Sequence, residues 1–260
     1  MSDIFIFRGV EFELGYTDYN ASNEITGVSN KLNERKYTLS AEEFSYRIIN
    51  HWEKNDLLTN VRESGKGWRK YSLMDKLWLY IVREMRNFGI SLDMIHKVKM
   101  SITIKSRNKV SFPLLEYYIS LAIAGKPVYL LIFENGQASP VIEKEYQANR
   151  EFSSSQNFMQ INLNNLVQKL FPERVVKAKK KEFAEPNLNE RKGIQVLRLN
   201  FVKKVMLTDE KGQKQSFSVK NVADSEEVAE KIFQRKYRHI ELQLNNQQLL
   251  SFSNENMLPL

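Results

Sequence analysis

The chain has 260 residues and a formal net charge of +8, and 42% of its residues are hydrophobic. This size suits one large globular domain or two smaller ones, and the composition is too apolar for a disordered chain. No apolar run approaches the ~18 residues of a membrane span, and the N-terminus lacks the pattern of a signal peptide. The chain contains no cysteine, which excludes disulfides and thiolate metal sites. We therefore expect a cytoplasmic protein with no membrane contact and no cofactor or bound metal.

Positive charge is concentrated in one part of the chain. Residues 1–35 carry three basic and six acidic side chains, whereas residues 36–110 carry fifteen Lys or Arg and eight Asp or Glu. A basic block of this kind is compatible with a polyanionic partner. The stretch from Ile4 to Leu14 alternates apolar residues, which predicts a strand or hairpin. Its acidic surroundings argue against direct contact with DNA.

Residues Ser40 to Asn55 predict a helix or two closely spaced helices. Ser40 and Glu43 have the spacing of a capping box, in which each side chain bonds an amide at the helix start. An apolar stripe follows at helical spacing: Phe44, Ile48, Ile49 and Trp52. The other face carries side chains that can contact bases and phosphates in a major groove: Tyr46, Arg47, Asn50, His51 and Lys54. A solvated polar face is the alternative explanation of the same pattern.

A β-hairpin is predicted directly after this helix. Leu57–Val61 and Trp68–Tyr71 have the character of short strands, and two glycines in the loop between them can turn the chain. A small hairpin after a recognition helix is a wing. Its basic residues are suited to holding phosphates: Arg62, Lys66, Arg69 and Lys70.

Two further helices complete this region. Ser72 is suited to capping the first, with Asp75 in its first turn and Gly89 at its end. Its predicted buried stripe is Leu73, Leu77, Tyr80, Ile81, Met85 and Phe88. A short helix after Ser91 is expected to direct Leu92, Ile95 and Val98 inward.

Three elements of this region occur in an order that resembles the MerR family of bacterial transcription regulators. Trp52-Glu53 resembles the end of that family's recognition helix, Gly67 to Ser72 the exit from its wing, and Phe88 to Leu92 the end of its next helix. The resemblance implies an α+β protein with a winged helix-turn-helix at 36–100, followed by a mixed α/β C-terminal region. It also brings Tyr71, in the wing exit, into the set of DNA-binding candidates.

The sequence departs from the family pattern in three places. Asn50 stands where a basic residue is usual, and Asp56 stands where a glycine is usual. The stretch before Tyr46 is also short, so the first helix of the motif can instead lie at Asn23 to Asn33, with Lys36 to Leu39 as its exit. The exact base contacts are therefore open, although asparagine can read adenine through a bidentate pair.

The resemblance implies sequence-specific binding of double-stranded DNA and regulation of transcription on the bacterial nucleoid. RNA polymerase and a second copy of the chain are candidate partners. The family's long dimer helix is not predicted here, because Ser101 to Phe112 reads as strand or loop. No catalytic motif occurs, which predicts a protein that is not an enzyme. The alternatives are an accessory DNA-binding protein of a mobile element, such as a recombination or partition factor, and a DNA-targeted scaffold or enzyme.

The rest of the chain divides by composition into an N-terminal extension (1–35), an α/β effector or oligomerisation region (101–171), a basic linker (172–192) and a small α+β module (193–260). In the α/β region we predict helices at Leu114–Ala124 and Leu163–Leu170 and strands at Pro127–Phe133, Ser139–Ile142 and Met159–Asn162. The linker holds a lysine cluster: Lys177, Lys179, Lys180 and Lys181. The last module is predicted as β-β-α-β-β, with Ile194–Leu207 as its first strand.

Overall fold

The computed structural model describes residues 6–58, 69–106, 109–150, 156–174 and 185–254. The first part of the described chain is helical: α1 (Val10–Thr26), α2 (Val28–Asn33), α3 (Tyr46–Lys54), α4 (Leu73–Asn87) and α5 (Leu92–Ile102). A mixed region follows: β1 (Ile104–Ser106), β2 (Lys109–Ser111), α6 (Pro113–Ile123), β3 (Val128–Phe133), β4 (Ala138–Ile142), α7 (Glu143–Ala148), β5 (Phe158–Asn162) and α8 (Leu163–Leu170). The last part comprises α9 (Leu188–Arg198), β6 (Val202–Thr208), β7 (Lys214–Ser218), α10 (Val222–Phe233), β8 (His239–Leu244) and β9 (Leu249–Ser253).

The N-terminal strand or hairpin predicted from Ile4 to Leu14 is wrong within the described residues, because α1 begins at Val10. The apolar residues that suggested a strand do not mark the buried face: Val10 and Leu14 are exposed. The buried face instead recurs at helical spacing in smaller or polar residues: Gly15, Tyr19, Ser22 and Thr26. A Cβ at Gly15 would clash with the hydroxyl of Tyr117, so α1 lies close against α6 only because this residue is glycine.

A buried carboxylate fixes α1 and α2 on α6. Glu116 accepts hydrogen bonds from Tyr19 Oη at 2.8 Å and from Asn33 Nδ2 at 2.7 Å. The predicted alternative first helix, Asn23 to Asn33, is interrupted by Gly27, whose φ of 64° ends α1 and begins α2. The two helices therefore lie against the same partner with a left-handed residue between them.

The predicted helix from Ser40 to Asn55 is divided into a single turn and α3. The capping box forms, with Ser40 and Glu43 exchanging two hydrogen bonds of 3.2 Å, but it closes only the turn at residues 40–44. Ser45 caps α3 by accepting from the amide of Ile48. Ile48 itself is 43% exposed, which corrects its place in the predicted apolar stripe. It lies at the edge of the buried face defined by Ile49 and Trp52.

The helices α4 and α5 agree with the sequence prediction. Ser72 and Asp75 form a capping box at the start of α4, and Gly89 has a φ of 80° beyond its end. Phe88 is the exception in the predicted stripe, because it is 70% exposed at the position where the helix has ended. The strand predicted within Ser101 to Phe112 is also present, as the antiparallel pair β1–β2, although α5 continues to Ile102.

The middle region forms a three-stranded antiparallel sheet in the order β4-β3-β5. Its helix α6 is almost wholly buried, and α8 packs beside it. One hydrophobic core joins this region to the helices before residue 100: it includes Leu32, Trp52, Leu77, Ile95, Leu115, Leu130 and Leu163. Since this core contains residues from both sides of residue 100, each side stabilises the other.

Two corrections apply between residues 172 and 207. The predicted linker at 172–192 includes the first residues of α9, which begins with a capping box formed by Asn187 and Glu190. The predicted strand Ile194–Leu207 is helical as far as Arg198, and β6 begins only at Val202. α9 is buried from Gly193 to Arg198, so its apolar run carries no strand or helix periodicity. The four lysines of the predicted linker cluster lie outside the described residues.

The C-terminal sheet has the antiparallel order β7-β6-β8-β9, and α10 lies against it with a second hydrophobic core. The strands β7, β8 and β9 and the helix α10 agree with the predicted module within a few residues. The predicted fold class is confirmed: a helical N-terminal region is followed by a region that contains both sheets and helices.

Two buried arginines join the middle and C-terminal parts through one carboxylate. Arg198 Nη2 lies 3.1 Å from Glu226 Oε2, and Arg174 Nη1 lies 3.7 Å from Glu226 Oε1. Arg198 also donates to the carbonyl oxygen of Ile123, at the end of α6, at 2.7 Å. Burial lowers the pKa of Arg174, and Glu226 opposes this shift by stabilising the charged form. Glu226 is thus the shared counter-charge for two arginines that are each 2% exposed.

We predict that Glu226→Ala lowers the free energy of unfolding by about 3 kcal/mol, because two buried guanidinium groups lose their shared partner. Thermal or urea denaturation of the purified protein measures this loss. Glu227→Ala is the matched control: its carboxylate is 66% exposed and pairs with Lys231 one turn away. We expect it to cost less than about 0.5 kcal/mol. Equal losses in the two variants would contradict the structural role given to Glu226.

Candidate nucleic-acid interface

The candidate interface is the exposed face of α3. Its five candidate residues are all exposed: Tyr46, Arg47, Asn50, His51 and Lys54. At about 100° per residue of an α-helix, these five positions fall within about 140° of the helix circumference. Ile49 and Trp52 occupy the opposite side and are buried. The helix therefore presents one continuous polar face that carries two or more positive charges.

The buried side of α3 rests on α4 through aromatic contacts. Phe44 contacts Trp52 edge to face at 6.0 Å between ring centroids and Tyr80 at 5.7 Å. Glu43 accepts from Tyr80 Oη at 2.7 Å and pairs with Lys76 Nζ at 3.0 Å. The turn before α3 and the helix itself are thus held on the same surface of α4.

The C-terminal end of α3 is fixed by two side chains from later helices. Trp78 Nε1 on α4 donates to the carbonyl oxygen of Leu57 at 2.7 Å, and Lys99 Nζ on α5 donates to that of Asp56 at 2.7 Å. Burial lowers the pKa of Lys99, while the nearby Asp56 carboxylate favours its charged form. Neither anchor was identified from the sequence, because a tryptophan in an apolar stripe and a lysine on a helix have no local pattern that indicates their partner.

The structure gives Arg69 a different role from the predicted phosphate contact. Its side chain is buried and forms a bidentate pair with Glu53, with Nε to Oε1 at 2.8 Å and Nη2 to Oε2 at 2.6 Å. Nη2 also donates to Asn50 Oδ1 at 2.6 Å, and the guanidinium carbon lies 5.2 Å from the centre of the Tyr46 ring. The hydrogen bonds with Glu53 raise the pKa of Arg69. Arg69 therefore holds two candidate DNA-contacting residues in position.

Tyr71 is likewise a correction to the candidate set. It is 4% exposed, and burial raises its pKa to about 12. Its backbone pairs with Tyr37, with amide-to-oxygen distances of 2.8 and 3.0 Å. The predicted strand partner, Leu57–Val61, is not paired with it in the described part of the chain, where Leu57 and Leu58 form a bend. Its ring is part of the hydrophobic core beneath the candidate interface and is not available to contact DNA.

The remaining candidates are Lys70, which follows Arg69, and two basic residues of the predicted wing. Lys70 is exposed beside Arg69. Arg62 and Lys66, with the rest of the predicted wing from residue 59 to 68, lie outside the described residues. The wing thus remains a prediction, whereas the face of α3 and the adjacent Lys70 can be described as one surface.

The backbone conformation of Asp56 explains why this residue can stand where the resembled family usually has glycine. Its φ is 54°, in the left-handed region, where the backbone leaves α3. Glycine adopts this conformation without steric cost, and aspartate does so more readily than most other residues. The usual glycine and the aspartate found here therefore satisfy the same backbone requirement.

Residues 25–101 match the family described as MerR HTH family regulatory protein. The matched segment contains α2, α3, α4 and all but the last residue of α5, and it confirms the resemblance stated for the Trp52, Gly67 and Phe88 motifs. It places a MerR-type helix-turn-helix region, of a family of DNA-binding transcription regulators, in less than a third of the chain. The comparisons with curated proteins and with solved structures gave no match.

No helix among the described residues is both long and apolar enough to cross a bilayer. No group of three or more His, Asp or Glu side chains in the same part of the chain is arranged to hold a metal ion.

We predict that Glu53→Ala lowers the free energy of unfolding by about 2–4 kcal/mol, because the buried Arg69 guanidinium loses its carboxylate partner. Chemical denaturation measures this change. Glu42→Ala provides the control, since Glu42 is an exposed carboxylate close to the start of the same helix. Loss of stability in the Glu42 variant but not in the Glu53 variant would refute the assignment.

The backbone requirement at Asp56 gives a second prediction. Asp56→Val should lower stability by about 1–2 kcal/mol, since a β-branched residue is strained at positive φ. Asp56→Gly should leave stability equal to or above that of the natural protein. Melting temperatures in the order Gly, Asp, Val from high to low are expected, and the reverse order of Gly and Val would disprove a left-handed conformation at this position.

Proposed function

We propose that the protein is a transcription regulator that binds double-stranded DNA sequence-specifically through α3 and the wing. The observation that carries this proposal is the polar face of α3, which is exposed over its length while α4 and α5 hold the C-terminal end of the helix and Arg69 pairs with Glu53. A rigid helix with such a face can enter a major groove, which is wide enough to admit it. The family match supports the same use of this region.

Arg47 and Asn50 are the proposed base-reading residues. An exposed arginine can donate two hydrogen bonds to guanine O6 and N7, and asparagine can form a bidentate pair with adenine. Asn50 Oδ1 already accepts from Arg69, so the Asn50 amide is oriented before DNA arrives. A carbonyl oxygen can accept a second hydrogen bond, and the amide nitrogen remains a donor. This preorganisation lowers the entropy cost of the contact.

Lys54 and Lys70 are the proposed phosphate contacts on the described surface, together with Arg62 and Lys66 on the wing. Tyr46 and His51 lie on the same exposed face and would contact the edge of the groove or the backbone. Cation contacts with phosphates position a protein without reading the sequence. Binding should therefore weaken as salt rises, in proportion to the number of phosphates neutralised.

The proposal includes two copies of the chain on a nearly two-fold symmetric site, with RNA polymerase as the downstream partner on the nucleoid. α5 is followed by the short strands β1 and β2, in the place where the resembled family usually has a long dimer helix. The second copy would consequently be held by another surface of the α/β region.

Selection from a randomised duplex library at near-physiological salt tests the proposal. We expect enrichment of one motif by the natural protein. Arg47→Ala should weaken binding to that motif about 5- to 150-fold, which corresponds to the loss of a bidentate base contact worth about 1–3 kcal/mol. Arg238→Ala is the matched control, because Arg238 is an exposed arginine between α10 and β8, outside the family-matched segment.

The outcomes separate the proposal from its alternatives. Failure to enrich any motif, with only weak salt-sensitive binding, would reject sequence-specific regulation. Equal weakening by the Arg47 and Arg238 variants would reject α3 as the reading element. A motif that maps beside recombination sites instead of promoters would replace transcription regulation by the mobile-element function.

A further inference from the structure

A second candidate site is a cavity of about 240 Å³ beside the N-terminal end of α1. Its walls come from the segment Phe7 to Phe12, from α6, from α7 and from α9. None of its lining residues belongs to the family-matched segment 25–101. The cavity is therefore separate from the proposed DNA-binding face.

The cavity is lined by four basic and two acidic side chains: Arg8, Lys126, Lys144, Arg191, Glu11 and Glu145. The lining has an excess of two positive charges. Most of these groups have partners within the chain. Arg8 lies 3.6 Å from Glu145, Lys144 pairs with Glu11 at 3.0 Å on the exposed rim, and Lys126 pairs at 2.9 Å with the exposed carboxylate of Glu185.

Arg191 differs from the other cations. Its Nε is buried and has no hydrogen-bond partner among the described residues. Its guanidinium lies beside the Tyr117 hydroxyl in the cavity wall and favours ionisation of that phenol, although burial raises the pKa of Tyr117 overall. No carboxylate in the described part of the chain lies within ion-pair distance of Arg191. The excess charge of the lining is thus located on this arginine and on Lys126, whose partner Glu185 is exposed and lies outside the cavity lining.

The backbone at the start of α1 adds to the positive character of the cavity. Gly9 is the N-cap residue, with φ 75° and ψ 176°, and no side chain caps the helix. Only glycine adopts this conformation readily. The first amides of a 17-residue helix carry partial positive charge, and Val10 and Glu11 line the cavity. Glu11 lies in the field of Lys144, Lys126 and Arg191, and its pKa is lowered chiefly by its hydrogen bond with Lys144.

We propose that this cavity binds a small organic phosphate, with Arg191 and Lys126 as the principal charge partners of the phosphate group. A guanidinium, an ammonium group and uncapped helix amides together form the donor set that phosphate groups prefer. Phe12, Tyr117 and Leu121 provide an apolar wall for the carbon skeleton. The volume is below the usual 300–1,000 Å³ of drug-sized sites, so the ligand has on the order of ten non-hydrogen atoms.

The segment that precedes α1 is held over this cavity by specific bonds. Asn149 accepts from the Phe7 amide at 2.9 Å and donates to the Phe7 carbonyl oxygen at 2.7 Å. Arg8 donates to Ser139 Oγ at 2.6 Å and to the Pro140 carbonyl oxygen at 2.8 Å. The cavity wall is consequently preformed, and ligand binding requires little rearrangement of residues 7–9.

Isothermal titration calorimetry of the full chain at low salt tests this proposal. The probes are glycerol 3-phosphate and inorganic phosphate, with glycerol as the neutral control and succinate as a carboxylate of similar size. We expect saturable binding of glycerol 3-phosphate, a rise in melting temperature with its concentration, and no binding of glycerol. Arg191→Gln should weaken binding at least tenfold, which corresponds to the loss of about one charge-assisted contact.

Two further variants keep the test decisive if Arg191→Gln is unstable. Lys144→Gln alters an exposed rim residue and should weaken binding a few-fold without a change in the melting temperature of the free protein. Arg238→Gln removes an exposed charge elsewhere and should leave phosphate binding unchanged.

No saturable binding of either phosphate up to about 10 mM would overturn the proposal. Equal affinity of the natural protein and both cavity variants would do the same, and binding of succinate alone would reject phosphate as the ligand class. The measurement uses no DNA, so its result is independent of the proposed DNA-binding function.

Discussion

The ion pair between Arg69 and Glu53 determines how α3 is presented. Arg69 directly follows the predicted wing and Glu53 lies in the last turn of α3, so their bidentate contact joins two residues that are sixteen positions apart in the chain. The same guanidinium reaches Asn50 and the Tyr46 ring. Because a buried arginine without a carboxylate is costly, this geometry leaves little freedom to the polar face of α3. The residue that appeared suited to DNA instead organises those that face outward.

This arrangement extends into the rest of the molecule through a shared core. Trp78, whose indole holds the end of α3, also packs against Phe112 at 5.6 Å between ring centroids. Lys169 on α8 pairs with Glu84 on α4 at 3.0 Å, and Glu116 on α6 fixes α1 and α2. The family-matched helices are therefore stabilised by residues that come after them in the sequence, and a fragment cut at residue 100 would expose part of their core.

The sequence predicted those elements whose own residues determine their form. The capping box at Ser72 and the left-handed Gly89 beyond the end of α4 are local signals, and the structure contains both of them. The prediction from sequence was wrong at α1 and at the first half of the strand predicted from Ile194, both of which are helical. In α1 the buried face is made of small and polar residues, and in α9 the run from Gly193 to Arg198 is buried on every side, so neither stretch has an exposed polar face that alternates with an apolar one.

In the candidate site, too, features set by neighbouring residues could be predicted from the sequence, and contacts between residues far apart in the chain could not. The exposed positions of α3 follow from helical periodicity once Ile49 and Trp52 are recognised as buried. The roles of Arg69, Trp78 and Lys99 depend on partners 16, 21 and 43 residues away, which no local pattern specifies. Basic residue type alone therefore could not distinguish a charge that faces solvent from one that supports the fold.

The position of α6 limits how two copies of the chain can associate. A helical dimer interface needs an exposed apolar seam, as in a coiled coil. In α6 the residues from Leu115 to Ile123 are all buried within the chain, by α1, α2, α8, α9 and the sheet strands β3 and β4. The helix that follows α5 thus has no free seam, because its apolar surface is already part of the core. Any two-fold assembly must use surfaces other than α6, and the spacing of its two α3 helices would be set by those surfaces.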